Sequence, residues 1–264
     1  MLTQIVVNFG ASALFLLAYM AAWFVASLAM SRNDVADVAW GLGPALLSWW
    51  LLLRAGSPAT PAMILVTVLV TTWGVRLAFS IAHRNFRPGA TEDARYAAWR
   101  AEWKFFAVRS FLQVFILQGF FMLLISSPLI LLASWPVAGD TSVVVLGALI
   151  WLAGFTFEFI GDRQLARYLT EPKKTRPAVL DRGLWAWTRH PNYFGESVMW
   201  WGLATVALSV PYGWIGLISP VTITWLLVFV SGIPLVEARH RGETAWEEYR
   251  NRTSAFLPRP PKGR

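Results

Sequence analysis

From Ser197 to Val236 the chain carries no charged residue, and from Met1 to Ser31 it carries none either. Stretches so long and so apolar cannot face water, and about 20 apolar residues are enough to cross a bilayer as a helix. The composition agrees. Of 264 residues 56% are hydrophobic and only 14% charged, against about a quarter charged in ordinary soluble domains. The expected fold class is therefore all-α, a polytopic membrane helix bundle forming a single integral-membrane domain over residues 1–264, because a helix satisfies its own backbone in lipid. The first 31 residues are too long for a signal-peptide core and lack a basic leader, which makes them a retained transmembrane helix.

Apolar runs recur at about 5–30, 38–53, 62–82, 110–133, 143–161, 193–210 and 214–236. They predict about seven spans, or six if the short second run, with Gly41, Gly43 and Pro44 inside it, is re-entrant. "PYGW" at 211–214 marks the tight turn that divides the long uncharged run. Arg84–Arg109 holds six of the 23 lysines and arginines, Arg163–Arg189 seven and Arg239–Arg264 seven more. These segments follow spans three, five and seven, so the positive-inside rule places the N-terminus outside and the C-terminus in the cytoplasm. The net charge of +8 then belongs to one face, facing anionic lipid headgroups. No soluble binding fold accompanies it, so nucleic acid is not an expected partner. The segment 92–109, "EDARYAAWRAEWKFFAVR", is expected to be an amphipathic helix in the headgroup region.

The chain has no cysteine, which excludes disulfides, thiolate catalysis and cysteine-ligated metals. His83, His190 and His240 are too scattered to suggest a metal site. Polar residues at membrane depth are costly and mark function by default, and four groups of them stand out. Asp34 and Asp37 enter the second span in "SRNDVADVAWGLG". Arg76 lies in the third span, followed by "HRNFRP" with Arg87. Glu158 and Asp162, at i and i+4, share one face of the fifth span, with Arg167 beyond them. The fourth group is "RHPNYFGE", Arg189 to Glu196. Arg189 and His190 are candidate partners for the two carboxylates of span five, and the bland reading of all four groups is interhelical bonding that holds the bundle together.

Many arginines, a few carboxylates and an amide against apolar walls suit a phosphorylated cofactor. Arginine grips phosphate bidentately, Pro191 starts a helix well, and a helix N-terminus favours an anion. Asn192 and Tyr193 can point at a ligand while Gly195 admits close backbone approach. There is no G-x-G-x-x-G and no P-loop, and the spacing alone leaves a dinucleotide and S-adenosylmethionine both open.

"DRGLWAWTRHPNYFGESVMWWG", with "RNDVADVAWG", "GDRQLARY" and the tail "EEYRNRTSAFLPRPPK", closely resembles the bacterial membrane proteins classed by the steroid 5-alpha-reductase C-terminal domain, the DUF1295 group. The resemblance runs from about residue 30 to the end. It implies a multi-pass protein of the bacterial inner membrane whose cofactor-binding part is 110–264. The wider superfamily includes sterol reductases, which use NADPH, and isoprenylcysteine carboxyl methyltransferases, which use S-adenosylmethionine and share an R-H-P-x-Y-x-G motif. By resemblance, Asn192 and Glu196 hold the nicotinamide and ribose end of NADPH, Asp162 the adenosine half and Arg87 the phosphates. Tyr249 and Arg252 fall in the shared tail motif. Arg167 and Arg189 are phosphate candidates on charge and position. The eukaryotic reductases polarise the substrate ketone with a glutamate and a tyrosine. Here the tyrosine position holds Trp73 and no glutamate precedes Glu92, so Asp37 and Asp34 are the acids placed to substitute.

The resulting expectation is an NADPH-dependent oxidoreductase reducing an activated carbon–carbon double bond of a steroid-like or other lipid substrate. Hydride addition builds an enolate that a hydrogen-bond donor stabilises. Burial favours the neutral form of a carboxyl group, which makes a protonated Asp37 the candidate donor. The alternatives are an S-adenosylmethionine-dependent membrane methyltransferase and a non-catalytic lipid-binding protein.

Overall fold

A computed structural model of the chain describes residues 2–54, 59–172 and 174–261. Among these the fold is all-α, with helices α1 (Leu2–Met30), α2 (Val35–Arg54), α3 (Pro61–Asn85), α4 (Ala94–Glu102), α5 (Phe106–Ser110), α6 (Leu117–Ile125), α7 (Ser127–Ala133), α8 (Thr141–Thr170), α9 (Pro191–Ala207), α10 (Ile218–Trp225), α11 (Ile233–Ala238) and α12 (Thr244–Arg252). Six helical segments are long and apolar enough to cross a membrane: Leu2–Met30, Val35–Arg54, Pro61–Asn85, Phe106–Ile125, Thr141–Thr170 and Gly213–Ala238. The second run is thus a helix of 20 residues and not a re-entrant loop, with Pro44 accommodated inside it. The run at 193–210 is helical too, but α9 has 17 residues. At 1.5 Å per residue it is about 26 Å long, a little short of a bilayer's hydrocarbon core of about 30 Å.

The described residues form two compact units, Met1–Val144 with Val206–Ser219, and Val145–Thr205 with Pro220–Arg264. In the first, α1 turns Asn8, Ser12, Leu16, Met20 and Ser27 inward at helical spacing and leaves Val6, Leu14 and Val25 outside. Asn8, Ser12 and Ser27 are thus inside while Val6, Leu14 and Val25 face outward, a pattern that suits lipid and not water. α2 meets α3 at Gly41 and Gly74. A Cβ on Gly41 would lie 2.9 Å from the Gly74 carbonyl oxygen, closer than any side chain tolerates. Thr60 caps α3 by accepting from the Met63 amide, with Pro61 at the first helical position, where its missing N–H costs nothing.

The segment 92–109 departs from the expected single amphipathic helix. It breaks after Glu102, and Phe105 takes a left-handed conformation with φ of 54° while standing 84% exposed. Aromatic and cationic contacts hold the bend. Trp99 stacks on Trp103 at 4.9 Å, Arg109 covers Trp103 at 4.8 Å and Arg100 covers Phe106 at 4.4 Å.

In the second unit, α8 and α9 touch through glycines. Gly147, Gly154 and Gly161 recur every seven residues on α8, as Gly195 and Gly202 do on α9. A Cβ on Gly154 would sit 2.6 Å from the Met199 amide nitrogen, and one on Gly202 2.6 Å from that of Trp151. Such small-residue seams let helix backbones approach closely in lipid. Further along, Leu226–Val230 is a π-helical turn, and Ser231 and Gly232 interrupt the helix before α11.

Candidate functional site

The α8–α9 seam fixes where the carboxylates of the second unit stand. A Cβ on Gly195 would lie 2.5 Å from the Glu158 amide nitrogen, and one on Gly161 3.4 Å from the Asn192 amide nitrogen. Backbone packing thus brings Glu158 and Asp162 of α8 level with Asn192 and Glu196 of α9. Glu158 is 3% exposed and Glu196 8%. Two carboxylates buried this deeply must be met by donors, and their placement at one end of a helix pair concentrates hydrogen-bonding capacity there.

The approach to α9 is equally determined. Thr188 donates to the Phe256 carbonyl at 2.9 Å, and the Arg189 amide donates to the Ser254 carbonyl at 2.8 Å. The Arg259 amide returns to Trp187 at 3.0 Å, so the tail is laced along residues 187–189. Tyr249, fully buried, donates its hydroxyl to the Trp185 carbonyl at 2.6 Å, and burial raises its phenol above the ordinary range. Arg252 pairs with Asp181. The tail motif residues Tyr249 and Arg252 thus anchor the C-terminal segment onto the loop that leads into "RHPNYFGE".

Arg189 and His190 both meet Glu237, which the sequence reading did not single out. Arg189 Nε donates to Glu237 Oε1 at 2.8 Å, and its Nη2 lies 2.7 Å from the same oxygen. Its Nη1 donates to the carbonyls of Arg250 at 3.0 Å and Thr253 at 2.5 Å. Three of the five guanidinium N–H groups therefore donate to protein acceptors, with Nη2 in ionic contact with Glu237, in a residue only 6% exposed. His190 Nε2 lies 3.1 Å from Glu237 Oε1, and its ring stacks on Tyr193 at 5.3 Å. Burial lowers the His190 pKa, with Glu237 opposing that shift and Arg189 adding to it. A neutral imidazole facing this carboxylate donates from Nε2, which leaves Nδ1 as an acceptor.

Asp34 and Asp37 lie in the first unit. Asp34, 1% exposed, takes Arg32 bidentately, from Nε at 3.0 Å and Nη2 at 2.7 Å, and accepts from the Asp93 amide at 3.3 Å. Arg32 also reaches the Ala90 and Thr91 carbonyls. Asp34 is in this way the clamp between the start of α2 and the segment 90–93. Asp37 is different. Its Oδ1 accepts from the Tyr96 hydroxyl at 2.8 Å, and Arg95 approaches Oδ2 at 3.5 Å. Burial and the facing Asp37 carboxylate push the Tyr96 phenol well above its usual range, so the hydroxyl stays a donor. Trp73 is buried.

Arg87 is exposed in the turn after α3, in the first unit, and Arg167 is exposed near the end of α8, in the second. Among the described residues no group of three or more His, Asp or Glu side chains is placed to hold a metal ion. The residues missed from sequence, Glu237 and Tyr96, each had a signal. Glu237 is the first charge after the long uncharged run, and Tyr96 is the sole tyrosine in the aromatic, basic segment 92–109.

No curated protein matches the chain. The profile of a family described as "Protein of unknown function (DUF1295)" matches residues 23–253, a span that takes in Asp34, Asp37, the α8–α9 seam, the "RHPNYFGE" turn and Glu237. With nearly the whole length matched, the chain belongs to the DUF1295 family.

Proposed function

We propose that this DUF1295 protein is a membrane-embedded oxidoreductase that takes NADPH from the cytoplasmic side of a bacterial inner membrane. Its substrate would be a steroid-like or other lipid molecule carrying an activated carbon–carbon double bond. What supports the reading is the buried pair Glu158 and Glu196, level with Asn192 and Asp162 across the glycine seam. Ribose hydroxyls and a carboxamide NH2 are donors that such carboxylates can accept from beside the partners they already have, and the Asn192 side chain offers both an acceptor and a donor. The donor set therefore fits the nicotinamide–ribose half of the cofactor. The phosphate half would fall to exposed arginines such as Arg163 and Arg167 on α8. Bound there, NADPH would supply hydride. The chain's own contribution there is to orient the carboxamide through Asn192 and Glu196, while the acid that the sequence offers for the proton step, Asp37, accepts from Tyr96 and faces Arg95 and would give up a proton only from its neutral form.

A second reading is S-adenosylmethionine-dependent methyl transfer, favoured by one observation. Arg189, a phosphate candidate from sequence, is spent on Glu237 and two carbonyls, and a methyl donor without phosphates needs no such grip. The test is mass spectrometry of an extract of gently purified protein, with titration of NADPH, NADH and S-adenosylmethionine against thermal stability. A ligand present at about 100 times its Kd stabilises the folded state by about 2.7 kcal/mol. Stabilisation by NADPH that is lost in Arg163→Ala/Arg167→Ala supports the reductase. Stabilisation by S-adenosylmethionine alone replaces it with the methyltransferase, and stabilisation by none of the three refutes both.

A further inference from the structure

Arg54 closes α2. Its guanidinium lies 5.1 Å from the centre of the Trp50 ring, and among the described residues no carboxylate pairs with it. Asp140, between α7 and α8, is spent capping α8, where it accepts from the amides of Ser142 at 2.8 Å and Val143 at 3.3 Å. A cation at a helix C-terminus complements the helix dipole, which accounts for an arginine there. It does not account for what lies beside it.

Within the first unit, the ends of α1, α2, α3 and α7 enclose a cavity of about 340 Å³, inside the range of about 300–1,000 Å³ that takes small ligands. Its apolar wall includes the buried side chains Leu51, Met63 and Leu132, and Arg54 lines it together with Trp135. No acidic residue lines it. Its buried polar groups already have structural work. Asn8 donates to Ser134 Oγ at 2.9 Å, Ser134 donates to the Ile130 carbonyl at 2.6 Å, and Thr60 caps α3. The groups left over are the Arg54 guanidinium, the Trp135 indole N–H, which has no acceptor among the described residues, and the exposed Gln4 side chain, which gives one N–H to Asn8 Oδ1 at 3.2 Å and keeps its second N–H and its carbonyl.

A lining with surplus donors, no acid and an apolar wall selects a ligand with anionic oxygens on a hydrocarbon body. We infer that this cavity binds the anionic end of an amphiphile, with carboxylate or phosphate oxygens on Arg54 and the first methylenes against Leu51, Met63 and Leu132. Guanidinium is suited to both oxoanions because it presents two parallel donors. The inference stands on the first unit alone and is independent of any reading of the α8–α9 seam.

The experiment titrates the full chain in maltoside detergent with dodecanoate, dodecyl phosphate, neutral dodecanol and inorganic phosphate, reading thermal stability below each amphiphile's micelle concentration. The two anionic amphiphiles are expected to raise the Tm, and dodecanol and inorganic phosphate are not. Arg54→Gln should weaken dodecanoate roughly tenfold or more, the worth of a charge-assisted hydrogen bond, whereas Arg54→Lys, which keeps the charge but not the fork, should weaken it less. Ala133→Leu, which narrows the cavity without touching Arg54, should weaken it as well and decides the matter if Arg54→Gln does not fold. Nanodiscs with and without phosphatidylglycerol distinguish the sources. Stabilisation that depends on phosphatidylglycerol and on Arg54 identifies a bilayer lipid, while stabilisation by dodecanoate alone identifies a free amphiphile. Dodecanol as effective as dodecanoate, or Arg54→Gln and Ala133→Leu both binding like the parent, would overturn the inference.

Discussion

Arg189→Ala separates a latch from a ligand grip. The substitution removes two charge-assisted contacts to Glu237, at 2.8 and 2.7 Å, and frees the carbonyls of Arg250 and Thr253. Breaking a buried ion pair from one side costs about 3–5 kcal/mol. Here Glu237 keeps His190 and its side chain remains 16% exposed, which places the cost near the lower end, about 3 kcal/mol. For a chain of this size each kcal/mol moves the Tm by about 2–4 °C, so the expected fall is roughly 6–12 °C. Arg189→Lys keeps the charge but not the fork and should lose about half as much. The assay is thermal unfolding in detergent followed by tryptophan fluorescence, with NADPH affinity measured on the folded fraction at one salt concentration. A latch predicts a large loss of Tm with affinity changed less than about twofold. A parent-like Tm with affinity reduced tenfold would refute the latch and return Arg189 to the phosphates.

Three further outcomes follow from the geometry. Burial lowers the His190 pKa, so the folded protein takes up a proton less readily than the unfolded chain, whose histidine titrates near 6.5. That contribution to stability is complete above about pH 6.5 and is lost on acidification below it. The parent Tm should therefore fall more between pH 7 and 5 than that of His190→Gln, and equal slopes would remove His190 from the account. Gly154→Leu drives a side chain into Met199 and Gly195 and should lower folded yield by more than the roughly 1–3 kcal/mol of ordinary overpacking, whereas Gly10→Leu, with open space around it, should be silent by size-exclusion profile. Tyr96→Phe deletes the hydrogen bond to Asp37 at a cost of about 1–2 kcal/mol. Under the reductase reading it should also lower kcat more than KM, and a parent-like turnover would take Tyr96 out of the proton path.

The helices were legible in the sequence because lipid imposes a simple demand, long apolar runs, and all seven runs fold as helices. Helix interruptions were less legible. The bend at Trp103–Phe105 arises from stacking and cation–π contacts between residues that a periodicity scan counts as one amphipathic face. The contacts of the "RHPNYFGE" turn depend on a register that chain order does not reveal. Glu237 is 47 residues from His190, and only the path of α10, α11 and the tail brings them together. Asp37 and Asp34 look alike in the sequence, two acids three residues apart at the start of one helix. The structure divides them, with Asp34 clamped by Arg32 and Asp37 held by a phenol from α4. The glycine seam was readable in principle, since Gly147, Gly154 and Gly161 repeat at seven, a spacing that carries meaning only when two helices are known to face each other.

The π-helical turn at Leu226–Val230 makes the chain's spacing, and not any one side chain, the quantity under constraint. An α-helix advances about 100° per residue, and a π turn accommodates one residue more than the regular ladder holds. Deleting a single residue between Leu226 and Gly232 would allow the regular ladder to resume and would swing everything beyond it by about a quarter turn. Glu237 would then leave Arg189 and His190, although every residue that touches either of them had been kept. Natural variants that shorten this stretch should be rarer than variants that change its letters, and a deletion scan through 226–232 should be far less tolerated than substitution at the same positions.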